Sequence, residues 1–321
     1  MHITMDEGER RELDTLLRGI RAQVHSHPEL SNREFETTKL VQRHLAALGL
    51  EPVELGLPTG AAALLRGGRP GQTVGLRADL DALPVTEQTG APYGSENEGV
   101  MHACGHDVHT SVLLGAAELL TKRREEIAGN ILFLFQPAEE AMVGARHVVE
   151  QGLFQRVKLS ALLGMHVWPQ LPRGEVGLRA GAFFAAVDNF RIVITGRGGH
   201  GSTPNLSRSP IGAGAALALA IPAIKAYDLP PTEPATVAVT LLQAGYCNNV
   251  IPDTCELQGT IRTFSEEARH IVAQRLQELT RSTATAWGCT GEAEISKGTP
   301  PLVNDEGLEQ VMAGAARTVF G

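Results

Sequence analysis

The sequence predicts an α/β domain with a smaller α+β domain inserted into it. The chain has 321 residues, which exceeds the size at which a single hydrophobic core stops growing. Between residues 61 and 180, short apolar segments alternate with helical patterns, as in a sheet that carries helices on both faces. After residue 183 the strand patterns alternate apolar and polar residues, which indicates a sheet with one buried face.

The first domain begins with two predicted helices and continues into the sheet. Apolar residues recur at helical spacing through residues 9–48, and a polar loop at 25–30 separates the two helices. Further helices are predicted over 107–122 and 140–151. Four short apolar segments are predicted as strands, namely 61–66, 73–79, 130–135 and 160–167.

The second domain is predicted to comprise residues 184–295. Its patterns follow the order strand, helix, strand, strand, helix, strand, at 188–196, 209–226, 234–244, 254–264, 266–286 and from about 290. This is the ferredoxin-like order, which forms a compact two-layer domain. The segment after residue 296 is expected to return to the first domain, which therefore comprises 1–183 and 296–321.

Charge and hydropathy exclude several classes of partner. The formal net charge is -8, whereas a nucleic-acid-binding surface would be basic. No apolar run approaches the roughly 18 residues of a membrane-spanning helix, and the first residues lack the cationic start of a secretory signal. We therefore expect a cytoplasmic protein that binds neither nucleic acid nor membrane.

Residues 101–109 (MHACGHDVH) combine three histidines, a thiol and a carboxylate just before a predicted helix. Such donors suit a borderline divalent cation such as zinc, manganese, nickel or cobalt. Of the four cysteines only Cys104 has histidine neighbours, and the other three are expected to be small buried hydrophobic residues. The loop therefore predicts a metal site. An alternative is that Cys104 is a nucleophile activated by His106 or His109.

Other donors follow the predicted strands, at the edge where open α/β sheets bind ligands. Asp79 and Asp81 follow one strand, Glu139 and Glu140 follow another, and His166 follows a third. Taken singly, each has a structural explanation, such as a turn, a cap or a charge that complements a helix dipole. Donors of metal-binding type therefore follow each of these three strands, and their joint presence favours a shared metal centre.

The adjacent glutamates fit the chemistry of a metallohydrolase. One carboxylate can bind the ion while its neighbour takes a proton from water that the ion has acidified. We assign Glu140 as the ligand and Glu139 as the general base, although the opposite order fits the sequence equally well.

Five motifs in order resemble the aminoacylase/carboxypeptidase clan of dinuclear metallopeptidases. They are RADLDALP (77–84), MHACGHDVH (101–109), QPAEE (136–140), GMHV (164–167) and GGHGS (198–202). The branch that the chain resembles contains hippurate hydrolases, N-acyl-amino-acid deacylases and auxin-conjugate hydrolases. The resemblance implies a mixed-sheet, zinc-peptidase-like catalytic domain and hydrolysis of an N-acyl amino acid.

The resemblance also implies roles for individual residues. Two divalent ions, manganese, zinc, nickel or cobalt, would be held by the family's ligand positions, which here are Cys104, His106, Glu140 and His166. Glu139 matches the general base, and Asp81 matches a residue that supports the metal site.

Three further residues match positions in the family's inserted domain. His200 corresponds to a histidine that reaches the active site of a partner subunit and stabilises the oxyanion. Asn249 and Arg262 correspond to substrate contacts, with Arg262 facing the substrate carboxylate. We therefore expect a homodimer formed through the inserted domain. Without the resemblance, a turn role for His200 and Asn249 and a cross-strand ion pair for Arg262 are the favoured explanations.

Members of the family continue past the position of Gly321. Their further segment carries an acidic GSEDF-like motif and a Leu-His-x-Pro motif whose histidine completes the second metal position, and no histidine follows His270 here. We expect that position to lack a ligand within these 321 residues. The alternative function is a truncated or catalytically silent member that binds small carboxylates or dimerises.

Overall fold

The computed structural model describes residues 5–320, and the chain divides into two compact units, Met1–Pro172 and Arg173–Gly321. The helices of the first unit are α1 (Glu7–Ser26), α2 (Phe35–Ala47), α3 (His106–Thr121), α4 (Gly144–Glu150) and α5 (Leu153–Arg156). Its strands are β1 (Glu51–Pro52), β2 (Ala61–Arg66), β3 (Arg69–Asp79), β4 (Ala128–Gln136) and β5 (Leu159–Gly164).

The five strands form one mixed sheet in the order β1-β2-β4-β3-β5. β3, β4 and β5 are parallel, whereas β1 and β2 pair antiparallel. The carboxyl ends of the three parallel strands therefore meet at one edge of the sheet. This arrangement confirms the predicted fold class and brings the donor-bearing strand exits together.

Both faces of this sheet are buried. In β4, Phe133 and Phe135 pack among α1, α2 and α3, while Leu132 and Leu134 pack on the other face with residues of α4 and α5. Because both faces are covered, β4 is a continuous apolar run rather than an alternating one.

Two predicted boundaries of the first unit differ from the structure, and both lie next to the site. The helix predicted over 140–151 begins only at Gly144, because Met142 adopts a left-handed φ of +56° that a helix cannot include. The strand predicted over 160–167 ends at Gly164, so His166 lies in the loop beyond it. The loop after β4 is consequently longer than predicted, and it contains the glutamate pair.

The second unit contains eight strands and four helices among the described residues. The strands are β6 (Gly181–Phe184), β7 (Ala186–Thr195), β8 (Gly199–His200), β9 (Ala235–Ala244), β10 (Val250–Ile251), β11 (Thr254–Thr263), β12 (Thr290–Lys297) and β13 (Leu302–Asn304). The helices are α6 (Pro210–Ala220), α7 (Ala223–Tyr227), α8 (Glu266–Ala286) and α9 (Glu306–Phe320).

Four of these strands form an antiparallel sheet in the order β12-β7-β11-β9. Its buried face, including Ile192 and Leu257, packs with Leu217 of α6 and Leu276 of α8. The strands and helices follow the predicted ferredoxin-like order. The helix predicted over 209–226 is divided into α6 and α7, because Pro222 has no backbone N–H to continue the ladder.

The ends of the predicted insertion lie side by side. β6 precedes the four-stranded sheet in the chain, β13 follows it, and the two pair antiparallel with Leu302 opposite Phe184. The assignment of 1–183 and 296–321 to one domain stays a prediction. Across residues 5–320, none of the helices combines the length and apolar character needed to cross a bilayer.

A buried ion pair joins β7 to α8 in the second unit. Arg269 donates from Nε and Nη2 to the two oxygens of Asp188 at 2.7 and 2.6 Å, and both side chains are almost fully buried. Arg269→Met should lower the free energy of unfolding by about 3–5 kcal/mol, because a buried carboxylate loses its cation. Denaturant unfolding measures the loss. In the double variant Asp188→Leu/Arg269→Met the loss should be smaller, and an equal loss would contradict the electrostatic explanation.

Candidate metal centre

Six predicted site residues of the first unit converge at the edge where β3, β4 and β5 end. Three overlapping groups place ligand atoms within 4.8 Å of one another. They are Cys104 with His106 and His166, His106 with Glu139 and Glu140, and Asp79 with His106 and His109. His106 belongs to all three groups and is therefore the centre of the candidate site.

Gly105 shapes the loop that carries Cys104 and His106. Its φ of +84° is left-handed, and a Cβ at this position would lie 2.5 Å from Val167 Cγ2. Only glycine accommodates both this conformation and this close approach. The loop is thereby held against the segment after β5, and His106 becomes the first residue of α3.

The His106 ring is buried among carboxylates, yet neither nitrogen forms a hydrogen bond within the described structure. Nδ1 lies 3.3 Å from Asp81 Oδ1, outside hydrogen-bond geometry, and Nε2 lies 3.6 to 3.9 Å from oxygens of Asp79, Glu139 and Glu140. Burial lowers the pKa of His106, but Asp81, Cys104 and the charge of Asp79 outweigh burial and raise the pKa to about 11. The surroundings of this ring thus favour a positive charge, which a bound cation would provide.

Asp81 connects the centre to two neighbouring segments. Its Oδ2 accepts hydrogen bonds from Ser31 Oγ at 2.6 Å and from the Glu140 backbone N–H at 2.9 Å. Its Oδ1 faces His106 and has no other partner in residues 5–320. An imidazole ligand commonly has a carboxylate at its second nitrogen, which fixes the ring orientation. Asp81 is placed for that task.

The two adjacent glutamates have different surroundings. Glu140 Oε1 is buried without a hydrogen-bond partner among the described residues, and its side chain is 20% exposed. The Glu139 side chain is 41% exposed. Partial burial raises the pKa of Glu139, and the charges of His106 and Arg77 only partly oppose this effect. A buried orphan oxygen beside a more open carboxylate matches one ligand next to one proton acceptor, although the roles themselves stay predictions.

Cys104 and His166 face each other, with Sγ 3.4 Å from Nε2. His166 Nδ1 lies 2.6 Å from the Val167 carbonyl, which can only accept, so Nδ1 carries a proton. Burial lowers the pKa of His166, and the neutral ring therefore has its lone pair on Nε2, towards the thiol. This pair of donors also fits a cation.

The other two histidines of residues 101–109 differ in their surroundings. His109 has both nitrogens bonded, whereas neither nitrogen of the buried His102 has a hydrogen-bond partner among the described residues. His109 Nδ1 bonds Asp79 at 2.6 Å, and its Nε2 accepts the Val167 backbone N–H at 2.9 Å, so both nitrogens are used. His102 is buried outside the three donor groups, and burial lowers its pKa to about 4. His109 therefore supports Asp79 and the loop after β5 and is not available to an ion.

The second unit brings His200 and Asn249 together. β8 pairs with β10, and the Gly201 N–H donates to the Asn249 carbonyl at 2.8 Å. The His200 side chain is exposed, with Nδ1 accepting the Ser202 N–H. Arg262 lies on β11, where Nη1 donates to the Ile261 carbonyl at 3.0 Å and no acidic residue among those described pairs with it. The oxyanion role of His200 and the substrate contacts of Asn249 and Arg262 stay predictions.

The sequence did not predict two residues that support the centre, one through the Asp81 side chain and one through the loop backbone. Ser31 and Glu34 lie in the segment between α1 and α2, and they bond Asp81 and the Ala138 N–H respectively. Neither belongs to a donor motif. Only a fold that places this segment against the loop after β4 reveals the contacts.

Comparison with known proteins agrees with this geometry. Residues 75–321 match the model of the family described as Peptidase family M20/M25/M40. The chain is 42% identical over 292 residues to N-acetylcysteine deacetylase of Bacillus subtilis, covering 91% of this chain and 76% of that protein. It is 36% identical over 304 residues to hippurate hydrolase of Campylobacter jejuni, covering 94% and 78%.

Solved structures give the same picture. A Bacillus subtilis protein described as a dinuclear metal-binding peptidase of the M20 family superposes with a TM-score of 0.86 at 38% identity. The match covers 96% of this chain and 80% of that one. The fold is therefore shared over nearly the whole chain.

Proposed function

Since the chain belongs to peptidase family M20/M25/M40, we propose that it is a metal-dependent amidohydrolase that cleaves the amide bond of N-acyl amino acids. The observation that carries the proposal is His106, a buried imidazole without a hydrogen-bond partner among the described residues, with thiol, imidazole and carboxylate donors around it. Buried imidazole nitrogens are usually hydrogen-bonded. His102 is also buried with unpartnered nitrogens, but of the two only His106 lies among these donors.

The proposed ligands are Cys104, His106, Glu140 and His166, holding two divalent ions. When bound, such ions supply Lewis acidity, which polarises a carbonyl oxygen and lowers the pKa of water. The donor set mixes sulfur, nitrogen and oxygen, so zinc, manganese, nickel and cobalt are all compatible with it. The dinuclear relative supports the number of ions.

Glu139 is proposed to move the protons of the reaction. Its carboxylate is the more exposed of the pair and lies 3.9 Å from the His106 ring, next to the ligand groups. It would take a proton from the attacking water and return it to the nitrogen of the leaving amino acid, which departs as an amine. Asp81 would hold both His106 and the backbone of Glu140 in place during this transfer.

The inserted domain is proposed to complete the site within a homodimer. His200 would donate to the oxyanion that forms on the substrate carbonyl, and Arg262 would bind the substrate carboxylate with Asn249 beside it. The exposure of His200 and the absence of an acidic partner for Arg262 in the described residues are compatible with these roles.

His200→Ala should lower kcat by about 10²–10³-fold, because one donor to the developing oxyanion is lost. Metal content should not change, since His200 is not among the proposed ligands. Steady-state kinetics and metal analysis of the purified variant test both statements. His270→Ala removes another exposed histidine, on α8, and should leave kcat unchanged. A normal kcat in His200→Ala would remove the oxyanion role.

The names of the relatives indicate the substrate class. They include N-acetylcysteine deacetylase, N-acyl-L-amino acid amidohydrolase, hippurate hydrolase and an IAA-amino acid hydrolase. All four names refer to an acyl group that is joined to an amino acid through an amide bond. We propose the same class for this protein.

A hydrolysis panel tests the proposal. Acetyl, benzoyl and indole-acetyl amino acids, with a dipeptide for comparison, would be incubated with the manganese-loaded protein, and amino-acid release would be measured. Release from at least one acyl amino acid is expected. Cleavage of the dipeptide alone would contradict the substrate class, and binding without release would favour the catalytically silent alternative.

A further inference from the structure

Glu34 is a buried carboxylate that has no cationic partner in residues 5–320. Its side chain is 0% exposed, and its Oε1 accepts backbone N–H groups from Asn32 at 3.0 Å and from Ala138 at 2.7 Å. Its Oε2 is buried and unpartnered within the described residues. Burial of a carboxylate without a cation is costly, so stability alone does not account for a glutamate here.

Of these two hydrogen bonds, the one to Ala138 joins segments that are far apart in the sequence, and Ala138 directly precedes the glutamate pair. Ala138 is fully buried and has a φ of +51°. The left-handed region is disfavoured for a residue with a Cβ, because the Cβ approaches the following carbonyl oxygen too closely. The surrounding structure must therefore hold Ala138 in place.

Both backbone polar groups of Ala138, the N–H and the carbonyl, are hydrogen-bonded. Its N–H donates to Glu34, and its carbonyl accepts the Gly144 N–H at 3.0 Å. Gly144 packs so closely that a Cβ there would lie 1.6 Å from the Pro137 carbonyl oxygen. The Gly144 contacts come from the start of α4, six residues further along the chain, whereas the Glu34 contact comes from a distant segment.

The turn at Ala138 decides where Glu139 and Glu140 point. The next-but-one amide, that of Glu140, donates to Asp81, which also accepts from Ser31. Two buried carboxylates, Glu34 and Asp81, thus accept hydrogen bonds from the amides of Ala138 and Glu140. The segment between α1 and α2 supplies Glu34 itself and also Ser31, which bonds Asp81. A change of Ala138 to a negative φ would redirect both glutamates.

We propose that Glu34 is a positioning residue for the reaction, which stabilises the left-handed turn at Ala138 and thereby aims Glu139 and Glu140 into the metal centre. Glu34 acts through the backbone and from 104 residues away in the chain. The inference rests on the proposed function for the roles of the two glutamates, and it adds a residue that no donor motif contains.

Two variants separate the hydrogen bond from the packing. Glu34→Gln keeps the accepting oxygen, whereas Glu34→Met keeps a similar volume but removes the acceptor. A displacement of reacting groups by about 1 Å can cost 10²-fold in rate, so kcat should fall about 100-fold in Glu34→Met and stay near the wild-type value in Glu34→Gln. KM should change little in both variants, because the proposed substrate contacts are elsewhere.

A backbone rescue distinguishes positioning from a general structural role. Glycine adopts the left-handed region without a steric penalty, so Glu34→Met/Ala138→Gly should regain most of the lost kcat. If Glu34 only filled space in the interior, Ala138→Gly would not restore the kcat that Glu34→Met loses. Equal losses in the Gln and Met variants, or a loss in Glu34→Met that glycine does not relieve, would overturn the proposal.

Two further measurements do not depend on turnover. Hydrogen exchange of the Ala138 amide should be slow in the unsubstituted protein and in Glu34→Gln, and fast in Glu34→Met. The visible absorption of the cobalt-loaded protein should change in Glu34→Met, because Glu140 is displaced, and return in the double variant. Fast exchange in the unsubstituted protein would overturn the inference even if Glu34→Met does not fold. If no acyl amino acid is hydrolysed, the proposed function fails while exchange and absorption still test Glu34.

Discussion

Glu139→Gln is expected to lower kcat by about 10²–10⁴-fold, the range that a general base contributes, and to leave the metal content unchanged. The amide has the size and shape of the carboxylate but cannot take a proton from water. KM should change little because the change adds no bulk to the site. Steady-state kinetics and metal analysis of the same preparation measure both effects.

The adjacent glutamate provides the decisive comparison. Glu140→Gln should release metal, because its buried Oε1 has no hydrogen-bond partner among the described residues other than a prospective ion. If Glu139→Gln loses metal and Glu140→Gln retains it, the two roles are reversed. Glu266 and Glu267 form another adjacent pair at the start of α8, and Glu267→Gln should change neither kcat nor metal content.

Removal of metal is expected to abolish turnover altogether, and added manganese or zinc to restore it. The ligand groups bring several carboxylates around His106, and a cation offsets their mutual repulsion. An ion that binds only the folded protein also stabilises it, by about 2.7 kcal/mol at 100 times its Kd. The Tm should therefore rise on titration with manganese. Activity assays after chelation and a thermal melt with and without metal test both expectations.

The same experiment examines the cysteine mechanism. Cys104 Sγ lies 3.4 Å from His166 Nε2, a contact that a nucleophile with its base would also make. Cys247 is exposed, contrary to the expectation that it is a buried hydrophobic residue. Alkylation is therefore best performed on a Cys247→Ser variant. Activity that resists chelation but is lost on alkylation would favour the cysteine nucleophile and contradict the metal mechanism.

The fold was predictable from local patterns to a large degree. The strands β2, β4 and β11 begin and end within two residues of the predicted limits, because apolar runs and turn residues mark them directly. The helix predicted over 140–151 was wrong in its first turn. In the structure Met142 is left-handed, and the left-handed turn at Ala138 just before it is held by a contact from the distant Glu34.

The sequence by itself determined the fold class and the set of donors that follow the strands. The order of strands and helices along the chain and the type of each residue can both be read from local sequence. Only the tertiary structure decided how each donor is used. His106 and His109 are three residues apart on one helix, yet one has no hydrogen-bond partner among the described residues and the other has both nitrogens bonded. Hydrogen-bond partners depend on which distant segments pack together. For the same reason Glu34, far from every motif, contacts the loop that carries Glu139 and Glu140.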